Sequence, residues 1–183
     1  MRESLLTTTL AGFDLIPPEQ ANEKLVEWGH WLGGNNRPFG RQAFGLTIEG
    51  ELLSVACSAS TVNKRCAGYE RTEVVELVRL CSHPDHRDLT RVALRLWRKL
   101  APITWGRVYW PVDAVVSYSN STRHSGDIYR FDGWTKVTDT RGGTAGGGWN
   151  RGKKYDPKKV WAFPLTPAGR SALADNPTGR KSK

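Results

Sequence analysis

The chain is poor in cysteine, poor in long apolar runs and, towards its end, poor in acidic residues. Cys57, Cys66 and Cys81 are odd in number and form no CxxC pair. That argues against the disulfide framework of small secreted domains and predicts reduced thiols in a cytoplasm. No apolar stretch approaches the ~20 residues that cross a bilayer, so no membrane partner is expected. Met1-Arg2-Glu3 leads into threonine-rich sequence with too short an apolar stretch, and no cleavage site, for a secretory signal. Residues 136–183 hold 11 Lys and Arg against 3 Asp and Glu, whereas residues 1–135 hold 16 against 15. Nearly all of the net charge of +9 therefore lies in the last quarter. That distribution fits a polyanionic partner, and it is also the composition of a solvated tail.

What is present reads as one domain of alternating strands and helices. At 183 residues the chain is long enough for a core of its own. Residues 1–16 mix Thr with apolar residues and predict a first strand. Pro17-Pro18 opens a helix whose apolar face is Ala21, Leu25, Trp28 and Leu32, ending in the loop Gly33-Gly34-Asn35-Asn36. Ala43–Ile48 and Leu52–Ala59 read as a hairpin about Glu49-Gly50. Asn63–Tyr69 reads as a polar loop, and Val74–Cys81 as a central strand. Pro84–Asp88 is a turn. Leu89, Val92, Ala93, Leu96, Trp97 and Leu100 give an amphipathic helix, with Arg91, Arg95, Arg98 and Lys99 on its other side. Val108–Tyr118 holds one or two strands. A polar loop and a short helix with Tyr129 follow, then the Gly-rich stretch 141–152 and a last strand, Val160–Leu165. Residues 1–165 are expected to form the domain and 166–183 a basic, disordered tail. The order predicts an α/β (α+β) mixed sheet with helices on its faces.

Two sets of motifs carry a family resemblance. Ile128-Tyr129-Arg130-Phe131-Asp132-Gly133-Trp134 resembles the closing signature of GCN5-related acetyltransferases, in which a short helix carries the Tyr, Gly ends it, and an aromatic starts the next strand. Glu76-Leu77-Val78-Arg79-Leu80-Cys81 and its following helix are similar to a phage and bacterial acetyltransferase-like family related to the phage Mu Mom DNA-modification protein. Gly146-Gly147-Gly148-Trp149-Asn150-Arg151 and Lys159-Val160-Trp161 resemble that family's closing segment. The resemblance implies a GCN5-related fold, acetyl-CoA or another acyl-CoA as donor, and modification of DNA bases as an anti-restriction activity. One departure is plain. The pyrophosphate loop Arg/Gln-x-x-Gly-x-Gly/Ala is replaced by His86-Arg87-Asp88-Leu89-Thr90-Arg91-Val92-Ala93, which lacks both glycines that let backbone N–H groups approach phosphates.

The resemblance assigns Tyr129 to protonate the departing thiolate; otherwise it is a buried helix tyrosine. Cys81, Arg87, Leu89, Thr90, Arg91 and Asn120 are the cofactor candidates, Asn120 being equally explained by turn chemistry. Glu76 and Arg79 interrupt an apolar strand, where charge is costly unless paired or facing a cavity. Glu76 could deprotonate an amine and Arg79 bind a phosphate or carboxylate, or the two could pair with each other. Asp127 is a second candidate base, or a helix cap. Ser119, His124, Trp149, Arg151, Lys153 and Lys154 are candidates for substrate or nucleic-acid contact, since an extruded base needs an aromatic to stack on. The spacing of Cys57, Cys66, Cys81, His83 and His86 matches no zinc pattern, so no metal is expected. His83 and His86 are what a metal would have, and the resemblance would admit iron. The reading is a cytoplasmic acyltransferase acting on DNA. The alternatives are a non-catalytic binder of nucleic acid or a host protein, and a small-molecule or protein N-acetyltransferase. Monomer and homodimer both stay open.

Overall fold

A computed structural model describes residues 10–144, 152 and 154–175. In chain order the elements are β1 (Ala11–Ile16), α1 (Pro18–Glu27), β2 (Arg41–Ile48), β3 (Glu51–Ala59), β4 (Arg65–Cys66), β5 (Tyr69–Glu70), β6 (Val74–Ser82), α2 (Leu89–Val108), β7 (Ala114–Asn120), α3 (Asp127–Phe131), β8 (Thr135–Thr140), β9 (Gly143–Thr144), β10 (Lys154–Tyr155), β11 (Lys158–Pro164) and α4 (Pro167–Asp175). Seven strands make one sheet in the order β1-β2-β3-β6-β7-β11-β8. Every pairing is antiparallel except β6–β7. The mixed α/β sheet with helices on both faces is the expected fold class.

Alternation along the central strands supplies two cores. Val75, Leu77 and Val115 face α2 and bury Leu94, Trp97, Ala101 and Trp105. Ala43, Val55 and Cys57 on the other face bury Ala21, Leu25 and Trp28 around α1. Val74, Val116 and Val160 share that second face further along the sheet, under Tyr69 and Leu173.

Several local expectations change. Helix α1 stops at Glu27, so Leu32 lies beyond it and is 43% exposed. The buried stripe of α2 is Ala93, Leu94, Trp97, Ala101 and Trp105, while Val92 and Leu100 face solvent. Apolar residues surround this helix on several sides, so periodicity alone mis-centres the face. The helix also runs to Val108, through Pro102, because Ala101 and Trp105 are completely buried beneath it. Residues 108–113 are thus not strand. Within Asn63–Tyr69, expected to be loop, β4 and β5 pair across Ala67 and Gly68, whose φ angles of 56° and 92° suit a tight hairpin turn. Within the stretch expected to be disordered from residue 166, Pro167–Asp175 form α4, and residues 176–183 lie outside the described residues. Leu173 of α4 is buried, and the Tyr69 hydroxyl donates to Gly169 O at 2.7 Å. A composition rich in Ala, Gly and Ser hides that docking, which draws on a tyrosine one hundred residues away.

Candidate active site

The parallel pair β6–β7 holds together only as far as Leu77 and Ser117. Beyond these residues both strands continue, β6 to Ser82 and β7 to Asn120, without pairing. The divergence has a local cause. Against β3, Cys57 pairs with Arg79 and Ser58 with Leu77, so Val78 is an extra residue and β6 bulges there. A bulge bends its strand and increases local twist, turning the rest of β6 away from β7. The wedge that opens is a cleft of about 410 Å³.

Tyr129 stands at the closed end of the wedge. Gly126, with φ of 87°, starts α3 against the Trp161 indole, where a Cβ would collide with the ring. Gly133, with φ of 84°, ends the helix and releases Trp134 towards β8. The Tyr129 ring stacks on Trp161 at 5.5 Å and meets Trp134 edge-on at 5.3 Å. Its hydroxyl lies 2.9 Å from Ser117 Oγ, and Ser117 donates its one proton to Leu77 O at 2.9 Å. Tyr129 therefore donates to Ser117. Burial pushes the phenol's pKa up; the Ser117 hydrogen bond opposes this and the Glu76 charge adds to it.

Glu76 lies one residue before Leu77 and so on the opposite face of the sheet. It is 4% exposed and accepts from Arg37 Nη2 at 3.1 Å. Burial pushes its carboxyl up to about 7, against the pull of Arg37, Lys158 and Arg79. The alternative of a mutual Glu76–Arg79 pair does not form. Arg79 instead donates to Gly33 O, Gly34 O and Val78 O, and so fastens the α1–β2 loop over the cleft rather than leaving its guanidinium free for a phosphate. That loop brings His30 and Trp31 to the cleft mouth, where the Arg123 guanidinium lies 5.1 Å from the Trp31 ring. His30 is driven down to about 4 by burial, then by Arg79 and His124, and is neutral at pH 7.

An outer part of the cleft shares His30, Trp31, Thr90 and His124 with the deep part and reaches Arg87. Here hydroxyl side chains hold the glycine-free start of α2 in place. Ser82 Oγ donates to Ser54 Oγ at 2.9 Å and lies 2.8 Å from Thr90 Oγ1, pinning the start of α2 to the end of β6. Cys81 lines this outer part as well. Leu89 is the first residue of α2. Arg91 turns the other way and donates to Phe131 O at 3.3 Å, behind α3.

The remaining candidates are spread. His124 lines the cleft. Asn120 also lines it, but its amide donates to Asp156 at 2.7 Å and its oxygen accepts from the Thr122 backbone and hydroxyl. Ser119 accepts from the Trp161 indole at 2.9 Å. Asp127 sits at the cleft mouth, paired with Arg130 at 2.9 Å and hydrogen-bonded by Ser125. It does not cap α3, where Gly126 holds the cap position. Lys154 is exposed in β10. Trp149, Arg151 and Lys153 lie outside the described residues. His83 bonds the Asp85 backbone and its ring centre is 5.7 Å from that of His86. Among the described residues no group of three His, Cys, Asp or Glu side chains is placed to hold a metal. No described helix is long and apolar enough to cross a membrane.

Sequence reading missed Arg37, Arg123 and Lys158. Arg37 lies in a loop with no motif around it. Arg123 carried a usable signal, three residues past a strand C-terminus, where open sheets place ligands.

No protein-family model matches the chain, and no curated protein matches its sequence. Its fold is similar to that of solved acetyltransferases. Ribosomal-protein-S18-alanine N-acetyltransferase from Escherichia coli aligns with a TM-score of 0.59 and 12% identity, covering 86% of this chain and 95% of that one. An acetyltransferase of the GNAT (GCN5-related) family from Streptococcus pneumoniae gives 0.53 and 11%, covering 85% and 100%. Arabidopsis thaliana NAA60, in complex with a bisubstrate analogue, gives 0.55 and 10%, covering 86% and 100%. The architecture is that of the GCN5-related acetyltransferases.

Proposed function

We propose that the chain is an acyl-CoA-dependent N-acyltransferase. The observation that carries this reading is the sheet opening at Leu77 and Ser117 with a buried tyrosine hydroxyl at its apex. The residues present fit an acyl-CoA. Unpaired strand ends offer backbone groups to a pantetheine arm, and Arg87 and the start of α2 offer donors and positive potential to phosphates. Such a donor supplies a thioester, which an amine opens with loss of a thiolate.

The chain's own residues then have distinct tasks. Glu76 takes a proton from the acceptor amine as its nitrogen bonds to the acyl carbon, and a carboxyl held near 7 is matched to that work at neutral pH. Tyr129 holds a proton at its hydroxyl for the leaving sulfur. Burial raises its pKa and keeps it protonated at neutral pH. Val78–Leu80, on the diverging strand, supply backbone N–H groups that can polarise a carbonyl. Trp31 and Arg123 screen the cleft from water.

The acceptor we propose is an amine on nucleic acid, in keeping with the Mom-like motifs and the basic excess of residues 136–183. A salt-dependent affinity for DNA supports that narrower reading, and binding unchanged up to 0.5 M salt, or absent, overturns it. Calorimetric titration of the full chain with acetyl-CoA and with CoA tests the broader one. Micromolar binding weakened by Arg87→Ala supports it; no binding by folded protein up to millimolar concentration overturns it and favours a non-catalytic binder.

A further inference from the structure

A second cavity, of about 330 Å³, lies on the sheet face that carries Glu76. Its lining includes Tyr118, Arg141, Tyr155, Asp156 and Lys158. Tyr118 also lines the cleft at the splay, so one side chain is the wall between the two spaces. The register explains the meeting. Glu76 is opposite Val116 on β7, and Tyr118 and Asn120 follow Val116 on the same face. Lys158 of β11 is opposite Asn120, so it projects to that face too. Tyr118 itself is fixed from behind by Cys66, whose Sγ lies 2.8 Å from its hydroxyl.

The charges in this region do not balance. Lys158 is half-buried, and burial lowers its pKa. Among the described residues neither Lys158 nor Arg141 has a carboxylate within ion-pair distance, and Asp156 is already bonded to Asn120. Arg37 spends one nitrogen on Glu76, while its Nη1 is buried with no hydrogen-bond partner. A cation taken partly out of water and left unpaired is costly unless a ligand completes it.

We propose that this second cavity is the acceptor site, and that it selects an amine carrying an anionic oxygen group, phosphate or carboxylate, held by Lys158 and Arg141. The inference rests on the acyltransferase reading, because it takes the Tyr118 wall as the boundary between donor and acceptor. An acceptor anchored there presents its amine past Tyr118 to the splay, on the sheet face that carries Glu76. The amine loses a proton to Glu76, its nitrogen bonds to the acyl carbon, the carbon–sulfur bond breaks, and the thiolate takes the Tyr129 proton. A nucleotide base falls inside this acceptor class and a neutral alkylamine falls outside it.

Ligand-observed NMR on the full chain saturated with CoA tests the proposal with three small probes: O-phosphoethanolamine, β-alanine and ethanolamine. The expected result is at least tenfold tighter binding of one anionic probe over ethanolamine. Which anionic probe is preferred separates a phosphate site from a carboxylate site. The preference should vanish in Lys158→Ala/Arg141→Ala, with CoA affinity unchanged. Arg141→Ala alone, at an exposed position, should weaken it without loss of fold. Equal binding of the three probes, competition with CoA, or a preference indifferent to both variants overturns the proposal. Loss of CoA binding with the anion preference intact is a different result: it removes the acyltransferase reading, and the acceptor assignment with it, while leaving an anion site.

Discussion

The Tyr129 hydroxyl and Ser117 Oγ lie 2.9 Å apart at the last residues where β6 and β7 still pair. Ser117 is committed to Leu77 O, so it acts as a fixed acceptor that aims and steadies the Tyr129 proton. Tyr129→Phe is expected to lower acyl transfer about 100-fold or more, the usual contribution of a positioned acid, while CoA affinity stays the same. Ser117→Ala should give a smaller loss. Its buried position makes a cost of about 1 kcal/mol in stability the expected accompaniment. Thiol release with an active amine acceptor, alongside calorimetric CoA binding, checks both. Unchanged turnover in Tyr129→Phe would remove the tyrosine from the chemistry.

Glu76 gives a pH prediction whose sign follows from its shift. Burial holds its carboxyl near 7, above the ordinary 4.5, although Arg37, Lys158 and Arg79 all pull it down. In the proposed mechanism Glu76 acts in its ionised form, so turnover should rise with pH to about 7 and level off above it. Glu76→Gln should abolish that limb. Stability runs the other way. Between 4.5 and about 7 the native state keeps a proton that the unfolded chain releases, so stability falls as pH rises through that window. Denaturant midpoints at pH 5 and pH 8 measure it.

Asp132 ties the end of α3 to α2. Its carboxylate is fully buried and accepts from Arg98 at 2.7 Å, Arg95 at 3.1 Å and the Trp134 indole at 3.1 Å. Burial alone would raise its pKa, but the hydrogen bonds from Arg98, Arg95 and Trp134 outweigh it and the net shift is downward. Its stabilisation is therefore present above the ordinary value of 3.8 and is lost as pH falls below it. Asp132→Ala should cost about 3 kcal/mol by leaving Arg98 partly buried and unpaired. Because Asp132 is the residue that ends α3, the Tyr129 environment should loosen as well. Thermal melting and tryptophan fluorescence report the two effects.

Helix α4 should contribute to folding. Tyr69→Phe removes the bond to Gly169 O and is expected to cost about 1 kcal/mol. Ending the chain after Leu165 also exposes the apolar surface that Leu173 covers, for a loss of about 3 kcal/mol. An unchanged denaturation midpoint in the shortened chain would return residues 166–175 to the status of a tail.

Most of the elements were legible in local sequence. Strand alternation, the Pro17-Pro18 helix start and the Gly133 helix end are local signals, set by sterics and by periodicity over a few residues. They were enough to identify the mixed sheet and the short helix that carries Tyr129. Tertiary structure decided which residues meet. The insertion of β11 between β7 and β8 brings Trp161 onto Tyr129, and no local pattern encodes a strand order. The partner of Glu76 proved to be Arg37, 39 residues upstream, rather than the nearby Arg79. The buried face of α2 was set by what the sheet offered, since the helix is apolar on more than one side. Docking of α4 draws on Tyr69, one hundred residues before Gly169, and on Asp113. Contacts at such separations depend on the register and twist of the whole sheet, which only the folded chain specifies.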